Sequence, residues 1–163
     1  SRRLEKALSV TIQLHQRPAT LGGNPVVDQI VGVAEQLTDL WFTPNVPEDA
    51  RRDLLFHDAL CLYEDGQLRS FLMFTSRDGR LEITLMGTDP AVRGRGYGSM
   101  LMERLFEDAR NLGFTQVVAM TVPPDRKPSY IKTVAFYESH GFVVVRRYND
   151  LWEVGALELV KDL

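Results

Sequence analysis

Residues 59 to 86 read ALCLYEDGQLRSFLMFTSRDGRLEITLM, with Asp65-Gly66 and Asp78-Gly79 each set between β-prone apolar runs. An Asp-Gly pair favours the two-residue hairpin turn whose central residues both need positive φ, so it folds the chain back on itself. Two such turns in succession dictate a three-stranded antiparallel meander. A sheet built only from parallel strand-helix-strand units is thereby excluded.

Beyond the meander the rhythm changes. In SMLMERLFEDARNLG, Leu101, Leu105, Ala109 and Leu112 share one helical face with Met102 and Phe106, and Gly113 stops the helix. TQVVAMTV (115–122) reads as a buried strand, parallel to the last meander strand if the helix is a crossover. SYIKTVAFYESHG is a second helix stopped by Gly141, and Phe142 to Tyr148 and Ala156 to Val160 are closing strands. Upstream, SVTIQLHQ places Val10, Ile12 and Leu14 on one side of a strand, and RPATLGGN is a loop. Apolar spacing predicts a helix from Pro25 to about Phe42, capped by Asn24, and a shorter one opened by Pro47 with Glu48 and Asp49 at its positive end. The expected class is α/β, a mixed α+β sheet with flanking helices, in a single domain over residues 1–163.

Composition narrows the functional classes. A net charge of −3 argues against a general nucleic-acid binder. The single cysteine, Cys61, rules out an internal disulfide and sits in an apolar run, as a buried small hydrophobe would. His15, His57 and His140 have no partners at metal-ligand spacing, so no metal site is expected, and His140 reads as a helix-terminal cation. Without a membrane-length apolar run or a signal pattern, the reading is a cytoplasmic protein. Arg51-Arg52 and Arg146-Arg147 read as solvated faces.

Residues 89 to 99, DPAVRGRGYGS, lie between the meander and the helix. Glycines let an anion meet consecutive backbone N–H groups, and a helix start adds the positive end of its dipole. Arg93 and Arg95 add charge, so the chemistry is that of a phosphate or diphosphate cradle. Gly94, Gly96 and Gly98 do not give the dinucleotide spacing, and no Gly-Lys-Ser/Thr of a P-loop is present. Arg93, Gly96 and Gly98 do fill Arg/Gln-x-x-Gly-x-Gly/Ala. With TVAFYESHGF further on (Thr133 or Ala135, Tyr137, Gly141, Phe142), the chain over roughly residues 57 to 163 resembles the GNAT superfamily of N-acetyltransferases.

The resemblance implies a fold whose meander strand (81–87) and following parallel strand (115–122) splay apart to admit the pantetheine arm of acetyl-CoA. Met86, Gly87 and Thr88 would pair with that arm, and Gly87 would mark a bulge there. Backbone donors over Arg93, Gly94, Arg95, Gly96, Tyr97, Gly98 and Ser99 would hold the diphosphate, with Arg126-Lys127 a candidate for the 3′-phosphate. Where the family often carries an asparagine on the pantetheine, this chain has Tyr130. Glu82 is the candidate base, on a strand face with Thr84 and Met86, and Tyr137 the candidate acid for the leaving thiolate. Trp152, in the hairpin YNDLWEVG, is a candidate acceptor contact. The implied activity is acetyl transfer to a primary amine on a small molecule or a peptide, with no metal, nucleic acid or membrane partner. The closing strands offer a route to a homodimer. Alternatives are a non-catalytic acyl-CoA-binding module, action on a protein N-terminus, or another acyl group.

Overall fold

The computed structural model describes residues 8–17 and 24–163; most of the loop read from RPATLGGN, residues 18–23, lies outside the described residues. Strands β1 (Val10–His15), β2 (Asp58–Glu64), β3 (Gln67–Arg77), β4 (Arg80–Thr88), β5 (Gln116–Thr121), β6 (Val143–Tyr148) and β7 (Ala156–Asp162) form one sheet, ordered β1-β2-β3-β4-β5-β7-β6. All neighbours are antiparallel except β4 and β5. Both Asp-Gly turns have positive φ at each residue, 49° and 82° at Asp65-Gly66 and 52° and 76° at Asp78-Gly79.

Alternating strand residues feed two cores. Helices α1 (Pro25–Glu35) and α2 (Val46–Asp53) cover one face, where Ile30, Leu54, Phe71 and Met73 are buried. Helices α3 (Tyr97–Asn111) and α4 (Ile131–Ser139) cover the other, over Leu72, Leu101, Leu105 and Val117. Each large apolar side chain removed from water contributes about 1.5–3 kcal/mol. Cys61 is fully buried on the α1 side, and burial pushes its thiol up to about 12, where it stays protonated and unreactive. No helix among the described residues is long and apolar enough to cross a membrane.

The helix ends follow their local chemistry, with one departure from the periodicity. Apolar spacing continues to Phe42, yet α1 stops at Glu35. The indole N–H of Trp41 donates to the Ala34 carbonyl at 2.9 Å, and the Leu37 amide reaches the same oxygen, so the chain tightens into turns. Helix α3 closes at Gly113 (φ 86°), with Phe114 N–H on Ala109 O and Gly113 N–H on Arg110 O. Leu112, expected on the buried face, sits at the cap and is exposed. Leu14 is also exposed, near the end of the edge strand β1.

One irregularity in β4 matters most. Leu85 pairs with Met73 and Ile83 with Phe74, leaving Thr84 as the extra residue of a bulge. The bulge reverses the alternation. Leu81 and Ile83 face the α3 side, but beyond the bulge Leu85 faces the α1 side and Met86 the α3 side. Glu82 and Met86 therefore do not share a face, contrary to simple alternation. Gly87 is not the bulge; it is bare because a Cβ there would lie 2.9 Å from both Leu37 and the buried Phe71 ring. Gly87→Ala is expected to lower stability by about 1–3 kcal/mol through this overpacking, readable as a shift in the urea midpoint without a change in slope.

Candidate functional site

Strands β4 and β5 pair only from Arg80↔Gln116 to Ile83↔Ala119. Past the Thr84 bulge they part, while β4 stays bound to β3 and β5 to β7. The backbone of Leu85 to Thr88 thus has no strand on its β5 side. Here the sheet opens into a cleft of about 1160 Å³ that reaches both faces. Interior strand edges without partners are costly unless a ligand or water satisfies them.

At one end of the cleft lies the glycine stretch. Asp89 accepts from the Ala91 amide at 2.9 Å, and a short 3-10 turn (Pro90–Val92) carries the chain to Arg93. Gly94 (φ 81°) and Gly96 (φ 77°) take left-handed conformations, and Gly96 is the N-cap of α3. A Cβ at either would meet nothing within 4 Å, so these glycines serve the backbone path and leave open space in front of it. The amides that begin α3 have no side-chain cap. Arg93, Gly94, Gly96, Tyr97, Gly98 and Ser99 all line the cleft. A diphosphate fits this chemistry: free amides, positive helix end, one guanidinium.

Arg95 is turned away. Its guanidinium and the Tyr97 hydroxyl both donate to Glu64, a buried carboxylate at the end of β2. A second bulge, at Arg69 in β3, sends that side chain to Asp89 at 2.7 Å and to within 3.9 Å of Glu64. Glu64, Arg69, Asp89, Arg95 and Tyr97 thus brace the glycine loop from behind. The Tyr97 and Arg95 hydrogen bonds hold the Glu64 carboxyl below the ordinary range.

The middle and far end of the cleft join the two faces. Tyr137 comes from the α3–α4 core and is buried against Phe142, ring centroids 5.2 Å apart. Burial, and then the neighbouring Tyr130 phenol, push its pKa up, so it is protonated at neutral pH. Glu82 lies on the α1 side with Asp53, His57 and Thr84; His57 Nδ1 is 3.1 Å from Thr84 Oγ1. Trp152, with φ 52°, stacks on Phe42 at 5.4 Å and forms part of the wall. Met86, Gly87 and Thr88 also line the cleft. Lys127, expected near the 3′-phosphate, instead donates to the Trp41 carbonyl, and Ser129 Oγ reaches Leu40 O at 3.4 Å. These bonds tie the loop before α4 to the segment after α1. Arg147 is exposed as expected, and from the surface it is bidentate to Asp125 of the same loop at 2.9 and 3.0 Å.

Comparison with known proteins gives the class. The family model for the Acetyltransferase (GNAT) family matches residues 30–142, and the chain belongs to that family of acetyltransferases. Solved structures share the fold along nearly the whole chain. A GNAT-family protein from Desulfovibrio desulfuricans superposes with a TM-score of 0.78 at 18% identity, over 95% of this chain and 98% of that one. The ribosomal-protein-alanine N-acetyltransferase of Escherichia coli gives 0.73 at 14% identity, covering 94% of each. PaiA N-acetyltransferase of Thermoplasma acidophilum, solved with coenzyme A, gives 0.67 at 12% identity, over 94% of this chain and 99% of that one. At such identities the likeness is one of fold. No curated protein matches the chain by sequence.

The Glu64 brace was invisible in the sequence, since nothing in EDGQ distinguishes a buried carboxylate from a turn residue. Glu64→Gln is expected to lower the Tm at neutral pH. Because the carboxyl is held below its ordinary range, its contribution is present above that range and is lost as pH falls through the folded value. The Tm gap between wild type and variant should therefore close from about pH 5 downward, as thermal melts across pH would record.

Proposed function

We propose that the protein transfers an acetyl group from acetyl-CoA to a primary amine by direct attack within a ternary complex. The observation that carries this reading is the parted β4–β5 edge with Glu82 on one face and Tyr137 on the other. In this reading the diphosphate rests on the amides from Arg93 to Ser99, and the pantetheine arm runs along Met86 to Thr88. The thioester then lies in the gap, and the acceptor enters from the α1–α2 side.

That side has an aromatic wall, Trp41, Phe42 and Trp152, with the carboxylates of Asp53 and Glu82 in the same lining. Such a mouth attracts an ammonium ion of a small molecule or a peptide. The amine must shed a proton before it attacks, and Glu82 is placed to take it directly or through water. The amine nitrogen bonds to the carbonyl carbon and the carbon–sulfur bond breaks. A backbone N–H near Met86 faces the oxyanion. Tyr137, kept protonated by its burial, donates to the departing sulfur from the opposite face. The products are the amide and the free thiol.

Two variants separate the parts. At Gly98 an added Cβ makes only ordinary contact, 3.5 Å from Phe136. Gly98→Ala should leave the Tm unchanged or slightly raised, while the methyl group obstructs the cradle and weakens coenzyme A binding about ten-fold or more by calorimetry. Tyr137→Phe should lower kcat about ten-fold or more with little change in coenzyme A affinity, in an assay of amine-stimulated thiol release. An unaltered kcat removes Tyr137 from the chemistry, and thiol release that no amine in a broad panel stimulates favours a non-catalytic acyl-CoA module.

A further inference from the structure

Ser99, on the first turn of α3, has its hydroxyl 2.9 Å from Nε2 of His140, and His140 Nδ1 lies 3.1 Å from Glu103 Oε1. The imidazole side chain is only 10% exposed, packed on Phe136 with centroids 4.8 Å apart and edge-on to Phe106 at 6.4 Å. Both ring nitrogens therefore have fixed partners. Hydroxyl, imidazole and carboxylate in series is the order of a serine-nucleophile relay. Its location gives it another use: Ser99 lines the cleft beside Gly96 and Gly98, where the ligand group is an anion and not an acyl carbon.

The hydrogen positions follow from the partners. An ionised carboxylate only accepts, so Nδ1 carries a proton toward Glu103. In a neutral ring Nε2 then accepts, and it takes the one hydroxyl proton of Ser99. The serine oxygen turns lone pairs toward the cleft, where they repel a phosphate oxygen. In the imidazolium Nε2–H donates to Oγ instead, and the hydroxyl proton is free to point at the anion. Imidazole is the side chain whose charge ordinarily changes between about pH 5 and 8.

We infer that His140, acting through Ser99, couples the seating of a diphosphate in the glycine cradle to uptake of a proton, so that coenzyme affinity rises as pH falls. This rests on the cradle being the coenzyme site. His140 is a positioning residue, since it reaches the ligand only through the serine. The charged groups around it are few. Glu103 of α3 contacts the ring at Nδ1. Lys161 of β7 and Arg110 of α3 stack on Phe106, at 5.6 and 6.0 Å from its centroid. Arg93 lines the cleft, where a bound diphosphate would offset its charge.

The test is calorimetric binding of 3′-dephospho-coenzyme A, which lacks the monoester phosphate that itself titrates near neutrality. Titrations at pH 7 in buffers of different ionisation enthalpy count the protons taken up, and affinities at pH 6 and 8 give the pH dependence. Wild type is expected to take up a fraction of a proton and to bind about 3- to 10-fold more tightly at the lower pH. Ser99→Ala and His140→Gln should bind with no proton uptake and a flat profile. Glu103→Gln, which keeps the Ser99–His140 pair, should retain uptake. Wild-type binding without proton uptake, or uptake that persists in Ser99→Ala, overturns the inference and leaves the cradle intact. Failure of wild type to bind either this ligand or coenzyme A overturns the cradle itself and the inference with it.

Discussion

Four residue pairs join β4 to β5, and then the two strands separate. Nearly everything functional in this protein depends on that parting. Parallel neighbours in the middle of a sheet ordinarily stay paired, because an interior edge leaves amides and carbonyls unsatisfied. Here the Thr84 bulge releases β4 without breaking its bonds to β3, and β7 holds β5 from its other side. The cost falls on a short segment, Leu85 to Thr88, whose edge toward β5 has no strand partner. The same bulge inverts the side-chain alternation, so groups read as neighbours on one face lie on opposite sides of an opening through the sheet.

The opening is held by contacts that are not themselves part of it. Glu64 and Asp89 gather Arg69, Arg95 and the Tyr97 hydroxyl behind the glycine loop. Lys127 and Ser129 fasten the far rim to the Leu40–Trp41 segment. The Trp41 indole in turn holds the end of α1. Charge turned inward at these places fixes backbone amides in position before any ligand arrives. Preorganisation of this kind lets a neutral backbone compete with water for an anion.

Much of the architecture was legible because it rests on local rules. Asp-Gly turns specify hairpins, apolar periodicity specifies α3, and glycines at 113 and 141 specify where helices end. The glycine stretch points to a phosphate from sequence alone, since free amides at a helix start suit an anion. What stayed hidden depends on one residue more or less in a strand. Alternation cannot reveal the bulge at Thr84, and so placed Glu82 beside Met86. Nor can periodicity show that Trp41 ends α1 by competing for the Ala34 carbonyl. Partners distant in sequence were hidden for the same reason: Glu64 lies 33 residues from Tyr97, and Ser99 lies 41 from His140. Arg95 and Lys127 carried the right charge for a ligand, but the fold spends them on holding its own loops.

The central claim is that the bare amides at the head of α3 hold the diphosphate of coenzyme A. Titration of coenzyme A into ¹⁵N-labelled protein tests it directly, because glycine amides stand apart in the spectrum. Saturable downfield shifts of the Gly94, Gly96 and Gly98 amides, with changes at Met86 to Thr88, are expected. Saturable binding that leaves those glycine amides unmoved would contradict the account.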